Sequence, residues 1–181
     1  MMIRFFDFIF SLIGLIFLIP LLTLLFILGL FESRSPLFMQ KRIGLDQKIF
    51  TLVKFRTMKL NTLDLGTHLV DSNSITNLGY YLRKFKLDEL PQLWNVLVGN
   101  MSLVGPRPCL TNQKKLIIER KKRGVFNVKP GITGLAQISG ISMNQPTLLA
   151  KTDLIMIKKI DLYFYFLIIL KTINLVFKRK F

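Results

Sequence analysis

The sequence predicts an α+β fold that is predominantly helical, with an apolar segment at the N-terminus and a small β-hairpin after it. Three observations support this prediction. Residues 8–31 contain no charged side chain. Residues 48–56 alternate apolar and polar side chains with a period near two, as a half-buried strand does. Residues 90–97 place leucines and a tryptophan at the 3.6-residue spacing of a helix.

The composition favours a protein that lies against a membrane. The chain has 181 residues, of which 51% are hydrophobic, and its formal net charge is +16. Each basic group near an anionic membrane contributes roughly 1 kcal/mol to binding, so membrane lipids are expected partners. So basic a chain could also bind nucleic acid. Most aromatic side chains, however, lie in apolar runs instead of between lysines and arginines, so we predict no nucleic-acid partner.

The cysteine and histidine counts limit the metal chemistry. Cys109 is the single cysteine and His68 the single histidine, which excludes an internal disulfide and any His/Cys metal cluster. His68 falls in residues 61–77, a polar segment predicted to be an exposed loop. An oxygen-ligated cation such as Mg²⁺ remains compatible with the chain.

Residues 8–31 form the predicted membrane anchor. Their 24 residues would make a helix of about 36 Å, enough to cross the hydrocarbon core, and the run is too long for a cleaved signal peptide. Pro20, at the midpoint, kinks or breaks a helix. Two interpretations stay open at this point: a kinked helix that crosses the membrane, or a hairpin of two halves, each about 18 Å and too short to cross.

The charge after this segment sets its orientation. Residues 34–59 carry seven lysines and arginines, which places this side in the cytoplasm under either interpretation. We therefore predict a membrane anchor over residues 1–32 and a cytoplasmic, membrane-associated domain over residues 33–181.

The remaining elements follow from pattern and turn chemistry. The alternating stretch after Gly44 and Asp46 predicts a short hairpin. Further predictions are a basic helix over residues 78–86, a helix over 90–97, a basic surface helix over 112–123, a turn-rich loop over 129–134 and one interfacial amphipathic helix over 155–181.

Asp88 and Glu89 are the first candidates for chemistry. As neighbours on a helix they would point about 100° apart, so they would not share one proton. Pro91 suits the first turn of a helix, which predicts a helix start at or near Asp88. An aspartate in this position contributes roughly 1 kcal/mol as a cap. Taken alone, Asp88 is better explained as a helix cap than as a catalyst.

The cations around the pair change that balance. Arg83 and Lys86 precede it, and Arg107 is held between two prolines that restrict its backbone. A fixed guanidinium is well suited to bind phosphate through two hydrogen bonds. Carboxylates can attack phosphorus as nucleophiles, and attack on a diphosphate requires cationic groups and Mg²⁺. The cluster therefore favours phosphate transfer.

Several long motifs occur in a fixed order along the chain. They are residues 4–7 (RFFD), 38–44 (FMQKRIG), 54–58 (KFRTM), 87–97 (LDELPQLWNVL), 101–108 (MSLVGPRP) and 130–137 (PGITGLAQ). In these motifs the chain resembles the bacterial sugar transferases, specifically the small membrane-bound phosphoglycosyl transferases. The resemblance covers nearly the whole chain.

The resemblance implies an activity. Such enzymes move a sugar-1-phosphate from a UDP-sugar to a polyprenol phosphate, typically undecaprenyl phosphate, and release UMP. This is the first membrane step of a surface glycan such as an exopolysaccharide, O-antigen, capsule or glycoprotein glycan, so downstream glycosyltransferases are implied partners. Asp88 would form a covalent phosphosugar intermediate and bind Mg²⁺. Glu89 would activate the polyprenol phosphate or orient the metal.

The resemblance also implies a topology and a set of binding residues. It favours the re-entrant hairpin broken at Pro20, on the cytoplasmic face of the bacterial inner membrane with both termini in the cytoplasm. The implied substrate-binding positions are Lys54, Arg56, Arg83, Arg107, Lys129, Gln137 and Asp153.

The chain departs from the family pattern at several positions. Ile19 precedes the proline where the family often has serine, Asn100 replaces an acid, and Ile141 stands where an arginine is common. Lys129 replaces an arginine, which keeps the charge but loses the bidentate fork. Asp153 lacks the tyrosine that usually follows the corresponding acid.

A non-catalytic function remains as an alternative. A basic membrane scaffold that recruits glycan-assembly enzymes would need the cationic faces and the apolar anchor. It would not need Asp88 and Glu89 beside Arg107. Equal complementation by Asp88→Ala and the wild type would favour the scaffold.

Overall fold

The computed structural model describes residues 2–60, 62 and 74–178. It is mostly helical with small sheets and an N-terminal apolar helix, which confirms the predicted α+β class. In chain order the elements are α1 (Met2–Ser33), β1 (Leu37–Ile43), β2 (Ile49–Phe55), α2 (Asn77–Lys84), α3 (Gln92–Leu97), β3 (Ser102–Val104), β4 (Cys109–Leu110), α4 (Lys114–Lys122), β5 (Gly131–Thr133), α5 (Leu135–Ile138), α6 (Pro146–Lys159) and α7 (Leu162–Lys178).

The predicted hairpin is confirmed as β1 and β2. The strands pair antiparallel, with Leu37 opposite Phe55 and Ile43 opposite Ile49, and β4 pairs with the other edge of β1. Asp46 has φ of 51° in the connection. Aspartate adopts this left-handed conformation more readily than most residues, which is why the turn signal in the sequence was informative.

The predicted loop over residues 129–134 is wrong at its centre, because β5 pairs there in parallel with β3. The two backbones approach so closely that a Cβ added to Gly131 would lie 2.0 Å from the Gly105 nitrogen. Glycine therefore permits this pairing. A strand of three residues is too short to show the alternation by which strands are recognised.

Helix α1 runs without interruption from Met2 to Ser33 with Pro20 inside it. The predicted division into two helices at Pro20 is therefore not found, and the re-entrant course of the segment stays a prediction. Proline removes one helical hydrogen bond, and helices in apolar surroundings tolerate that loss. By length and composition α1 is long enough and apolar enough to cross a membrane.

Both ends of α1 are bound to the rest of the chain. Near the start, the Asp7 carboxylate accepts hydrogen bonds from Ser102 Oγ at 3.0 Å, the Leu103 nitrogen at 2.9 Å and Tyr165 Oη at 2.9 Å. Near the end, Glu32 accepts hydrogen bonds from Thr76 Oγ1 at 2.8 Å. The two ends of the apolar helix therefore face the same protein body.

The predicted helix over residues 155–181 is instead part of two helices, α6 and α7, which meet at residues 160–161. The Asp161 carboxylate accepts a hydrogen bond from the Phe164 nitrogen at 2.7 Å and so caps α7. Tyr165 and Ile168 of α7 pack in a core cluster with Val104 and Met156. This cluster holds the C-terminal helix against the strand that leads to Arg107.

The two basic helices are confirmed. α2 falls at the predicted residues and is capped by Thr76, whose Oγ1 accepts a hydrogen bond from the Gly79 nitrogen at 3.0 Å. α4 lies within predicted residues 112–123. Most of the predicted loop over 61–77, including His68, lies outside the described residues.

Candidate active site

Asp88 and Glu89 lie in a 3-10 turn between α2 and α3. The turn spans Leu87–Glu89, and α3 begins only at Gln92. The prediction of a helix start at Asp88 is therefore wrong. Pro91 has no N–H to donate to the Leu87 carbonyl, which instead accepts from the Leu90 nitrogen at 3.2 Å, the shorter 3-10 pattern.

This turn leaves the Asp88 side chain without a capping function. Asp88 is 8% exposed, and its Oδ1 atom is buried without a hydrogen-bond partner. A buried carboxylate oxygen without a partner is costly to stability, so such an atom is a candidate for function. The interpretation of Asp88 as a helix cap does not hold.

The pair faces a cavity of about 220 Å³. Five cationic side chains line it together with the two acids: Arg42, Lys54, Arg83, Lys86 and Arg107. They come from β1, from β2, from α2 and its C-terminal turn, and from the loop after β3. The cavity is therefore small and strongly positive, as a site for phosphate groups should be.

The two acids have pKa values shifted in opposite directions. Burial raises the pKa of Asp88, the neighbouring Glu89 raises it further, and the nearby lysines only partly oppose this. Burial also raises the pKa of Glu89, but Arg107, Lys86 and Lys54 together outweigh it, so the net shift is downward. Adjacent acids with separated pKa values are typical of sites where each has its own role.

Arg107 accounts for part of this difference. Its Nη2 atom lies 3.1 Å from Glu89 Oε1, and 39% of the Arg107 side chain remains exposed. Arg107 therefore neutralises Glu89 and still presents donors to the cavity. Glu89 is thereby held ionised beside Asp88.

Lys54 is held in the cavity wall by β2. Burial, and then the charge of Arg42, lower the pKa of Lys54 from 10.5 to about 8. The ammonium is therefore the main form at neutral pH, and it becomes neutral at moderately alkaline pH. An anionic substrate in the cavity would favour the charged form.

Arg120 fixes the Arg107 loop from behind. Its Nη1 atom donates to the Arg107 carbonyl at 2.7 Å, and its Nη2 atom lies 2.8 Å from Asp153 Oδ2. The side chains of Arg120 and Asp153 are 2% and 1% exposed. Asp153, predicted to bind substrate, thus lies in a buried ion pair behind the cavity.

Sequence reasoning missed Arg120 and Arg42 as site residues, and it named Lys86 only among the cations that precede the acid pair. Arg120 was placed on a surface helix, but it lies one turn after buried Leu116 and so on the inner face of α4. Strand register could have identified Arg42, because alternation puts it on the same sheet face as Lys54.

The other predicted binding residues lie outside this cavity. Arg56 donates to the Ser35 carbonyl at 2.8 Å and to the Leu37 carbonyl at 3.2 Å, so it holds the entry into β1. Lys129 lies beside Gly99. Gln137 lines a second, apolar groove that adjoins the cavity. The structure therefore brings Asp88, Glu89, Lys54, Arg83 and Arg107 together, and leaves Arg56, Lys129, Gln137 and Asp153 elsewhere.

The donor set fits Mg²⁺ bound together with substrate. Among the described residues, no three His, Cys, Asp or Glu side chains form a metal cluster. Mg²⁺ commonly uses one or two carboxylates, with waters and substrate phosphates completing its coordination. The unpartnered oxygen of Asp88 is available for that role.

Five cationic side chains thus surround two carboxylates in a small cavity, an arrangement that can bind phosphate groups. The sequence model of the bacterial sugar transferase family matches residues 1–179, so the chain belongs to that family. This confirms the resemblance found in the motifs.

Individual relatives agree with this assignment. The chain is 33% identical to a UDP-galactose-lipid carrier transferase of Erwinia amylovora, over 97% of this chain and 40% of the relative. It is 42% identical to an undecaprenyl-phosphate glucose phosphotransferase of Komagataeibacter xylinus, over 76% of this chain and 27% of the relative. It is 51% identical to an uncharacterised sugar transferase of Bacillus subtilis (strain 168), over 59% of this chain and 52% of the relative. The chain thus spans about half or less of the length of these relatives.

Proposed function

We propose that this protein transfers a sugar-1-phosphate from a UDP-sugar to a polyprenol phosphate and releases UMP. The observation that carries the proposal is the buried Asp88 carboxylate, whose Oδ1 atom has no hydrogen-bond partner, among five cationic side chains. The relatives from Erwinia and Komagataeibacter, a UDP-galactose-lipid carrier transferase and an undecaprenyl-phosphate glucose phosphotransferase, support the donor and acceptor classes.

The first half of the reaction forms a phosphosugar-enzyme. An Asp88 carboxylate oxygen attacks the β-phosphorus of the UDP-sugar, and the bond from that phosphorus to the bridging oxygen breaks. UMP leaves with the bridging oxygen and its electron pair. Lys54, Arg83 and Arg107 bind the phosphate oxygens and stabilise the charge that develops on them. The raised pKa of Asp88 is consistent with a carboxylate kept away from solvent.

The second half transfers the group to the lipid. A phosphate oxygen of the polyprenol phosphate attacks the same phosphorus, and the bond to Asp88 breaks, which restores the carboxylate. The product is a polyprenyl diphosphate sugar. Glu89 holds Arg107 at the site and activates the lipid phosphate or orients the metal. Its lowered pKa keeps it ionised for these roles.

Mg²⁺ fits this scheme as the cofactor. Asp88, assisted by Glu89, would hold it together with the substrate phosphates. When bound, Mg²⁺ neutralises phosphate charge and polarises the phosphoryl group. The lysines and arginines of the cavity would then mainly position the substrates, because Mg²⁺ would balance part of the phosphate charge.

We place the protein on the cytoplasmic face of the inner membrane, with α1 re-entrant and both termini in the cytoplasm. This is supported by Asp7 and Glu32, near opposite ends of α1, which both bind the same protein body. A helix that crossed the membrane would carry one of these acids to the far side. We propose that the reaction is the first membrane step of surface-glycan assembly and that further glycosyltransferases act on its product.

Purified protein with Mg²⁺, undecaprenyl phosphate and a panel of UDP-sugars tests the activity. We expect UMP release with at least one donor, and a loss of at least about 10³-fold in Asp88→Asn, which keeps the size of the side chain but not the nucleophile. Full activity in Asp88→Asn would exclude the covalent route. Equal complementation by Asp88→Ala and wild type would favour the scaffold alternative.

The intermediate and the topology can be tested directly. A donor labelled at the β-phosphorus should label wild-type protein when acceptor is absent, and should leave Asp88→Asn unlabelled. For topology, Met2→Cys in a Cys109→Ala background should resist an impermeant thiol reagent in intact cells and react after permeabilisation. Labelling in intact cells would identify a helix that crosses the membrane.

A further inference from the structure

An apolar groove of about 540 Å³ adjoins the cationic cavity. The two share Lys86, Glu89, Arg107 and Ile132, so they meet at the acids and cations of the site. Away from that junction the walls are mostly hydrocarbon, formed by α3, β3, α5 and α7; they include Leu90, Leu93, Leu103, Ile138, Ile169 and Ile173.

We propose that this groove holds the isoprenoid chain of the lipid acceptor, with its phosphate at Lys86 and Arg107. The proposal rests on the proposed function, because it assigns a place to one of the two substrates. It commits to hydrocarbon as the occupant, and not to the sugar or nucleoside of the donor.

The change of polarity along the groove supports this occupant. A prenyl phosphate is a doubly charged head on a hydrocarbon tail, and it needs a cationic site that continues into an apolar one. Lys86 and Arg107 provide the cationic site, and the leucine and isoleucine walls provide the apolar one. Each buried CH₂ group contributes roughly 0.8 kcal/mol, so even one or two isoprene units give useful affinity.

Four polar side chains line the groove away from the junction, and two of them hydrogen-bond to each other. Thr133 Oγ1 and Thr172 Oγ1 lie 2.7 Å apart and share a hydrogen bond. Gln137 donates its amide to the Ile132 carbonyl at 3.4 Å, which leaves Oε1 as a buried acceptor without a partner. A sugar or a uracil ring needs several donors and acceptors, so this lining suits it poorly.

The groove is open where a lipid would enter. Ile173 lines it and is 46% exposed. On another wall, Leu93 packs against Gly14 of α1, where an added Cβ would lie 3.3 Å from Leu93 Cδ1. The groove is therefore bordered by the apolar helix proposed to enter the membrane. A prenyl chain could reach the site without leaving apolar surroundings.

Two matched variants on α7 test this proposal. Ile173→Gln places a polar group in the groove wall, whereas Leu170→Gln makes the same kind of change at a 58% exposed position outside the lining. A general loss of membrane contact would affect both variants. Occupation of the groove by the lipid would affect only Ile173→Gln.

For the protein in detergent micelles with Mg²⁺, we expect Ile173→Gln to raise the KM for undecaprenyl phosphate about tenfold, because a polar side chain in the groove wall replaces apolar contact with the prenyl chain. The KM for a ten-carbon isoprenyl phosphate should rise less, since fewer carbons reach the wall. The KM for the UDP-sugar and the UMP burst without acceptor should match wild type, and Leu170→Gln should match wild type throughout.

Three results would overturn the assignment: a raised KM for the UDP-sugar with an unchanged KM for the lipid, equal effects of both variants, or no effect of Ile173→Gln on any substrate. A measurement of undecaprenyl phosphate binding in the absence of UDP-sugar tests the groove independently of the transfer reaction. Weaker binding by Ile173→Gln than by Leu170→Gln supports the groove even if no UDP-sugar is turned over, an outcome that would overturn only the proposed function.

Discussion

Two carboxylate–arginine pairs at the site differ in accessibility, one in the cavity and one behind it. Glu89 and Arg107 are 3.1 Å apart, with Arg107 partly exposed, whereas Asp153 and Arg120 are 2.8 Å apart and almost fully buried. The first pair leaves guanidinium donors for a ligand. The second uses its donors on Asp153 and on the Arg107 carbonyl.

This difference shows how similar chemistry can serve two purposes. A buried pair has no room for substrate, and its arginine orders the loop on which the accessible arginine stands. In the Glu89–Arg107 pair water reaches the arginine, so this pair should contribute less to stability than the fully buried one. Removing a residue from each pair should therefore separate stability from activity.

The largest stability effect should come from Asp153→Ala. It leaves Arg120 charged and unpaired in the interior, so the free energy of unfolding should fall by about 3–5 kcal/mol. Chemical denaturation in micelles measures the change. Glu119→Ala is the control, because Glu119 and Arg123 form a 2.7 Å pair whose side chains are 20% and 21% exposed, so water can reach them and the loss should be clearly smaller. Equal losses in the two variants would contradict the contrast.

The largest activity effect among the arginines should come from Arg107→Ala. Removing a cation that stabilises transition-state charge should lower kcat/KM about 10²–10³-fold, while the free energy of unfolding should fall by less than in Asp153→Ala because Arg107 is 39% exposed. Arg107→Lys should recover only part of the activity because it lacks the bidentate fork. Arg123→Ala, which removes an ion-paired arginine away from the cavity, should retain wild-type kinetics. A purely structural Arg107 would instead show parallel losses of stability and activity.

The pH dependence should report on Lys54. With its pKa lowered to about 8, kcat/KM should fall about tenfold per pH unit above that value as the ammonium loses its proton. Lys54→Arg should remove this alkaline limb. Stability should change in the opposite sense: burying the ammonium destabilises the fold below about pH 8, and this cost is relieved as the pH rises through the folded pKa. An unchanged alkaline limb in Lys54→Arg would assign it to another group.

The smallest effect should come from Asp161→Ala, which provides a reference for an exposed contact away from both pairs. Loss of the 2.7 Å hydrogen bond to the Phe164 nitrogen should lower the free energy of unfolding by about 1 kcal/mol. Asp161→Asn, which keeps a capping oxygen, should recover most of it. A loss as large as that of Asp153→Ala would mean that the junction of α6 and α7 is more important than its exposure indicates.

Local sequence signals predicted the elements that depend on local physics. Alternation identified the β1–β2 hairpin, and helical spacing together with charge identified α2 and α4. They failed where a distant partner decides the structure. β5 forms only by pairing with β3, which Gly131 and Gly105 permit by their close approach. The break between α6 and α7 is a different kind of failure, because its signal, the cap from Asp161 to the Phe164 nitrogen, is local and was overlooked.

The same distinction applies to the site. The motif around Asp88, Glu89 and Arg107 could be read from the sequence. Its 3-10 geometry could not, because it arises from the missing N–H of Pro91, which leaves the Leu87 carbonyl to the Leu90 nitrogen. Arg120 resembled the exposed lysines beside it because nothing local shows that Asp153 faces it. The charge of the motif indicates which kind of ligand binds. Which arginine binds that ligand and which one holds the site in place can be seen only in the folded chain.

The hydrogen bond between Asp7 and Tyr165 also has a consequence for biogenesis. The two residues are 158 positions apart and lie in the first and last helices. During synthesis Asp7 is made long before Tyr165, so the start of α1 is without this donor until 158 further residues have been added. The contact that secures the start of the apolar helix therefore forms late, after most of the catalytic segment has been made.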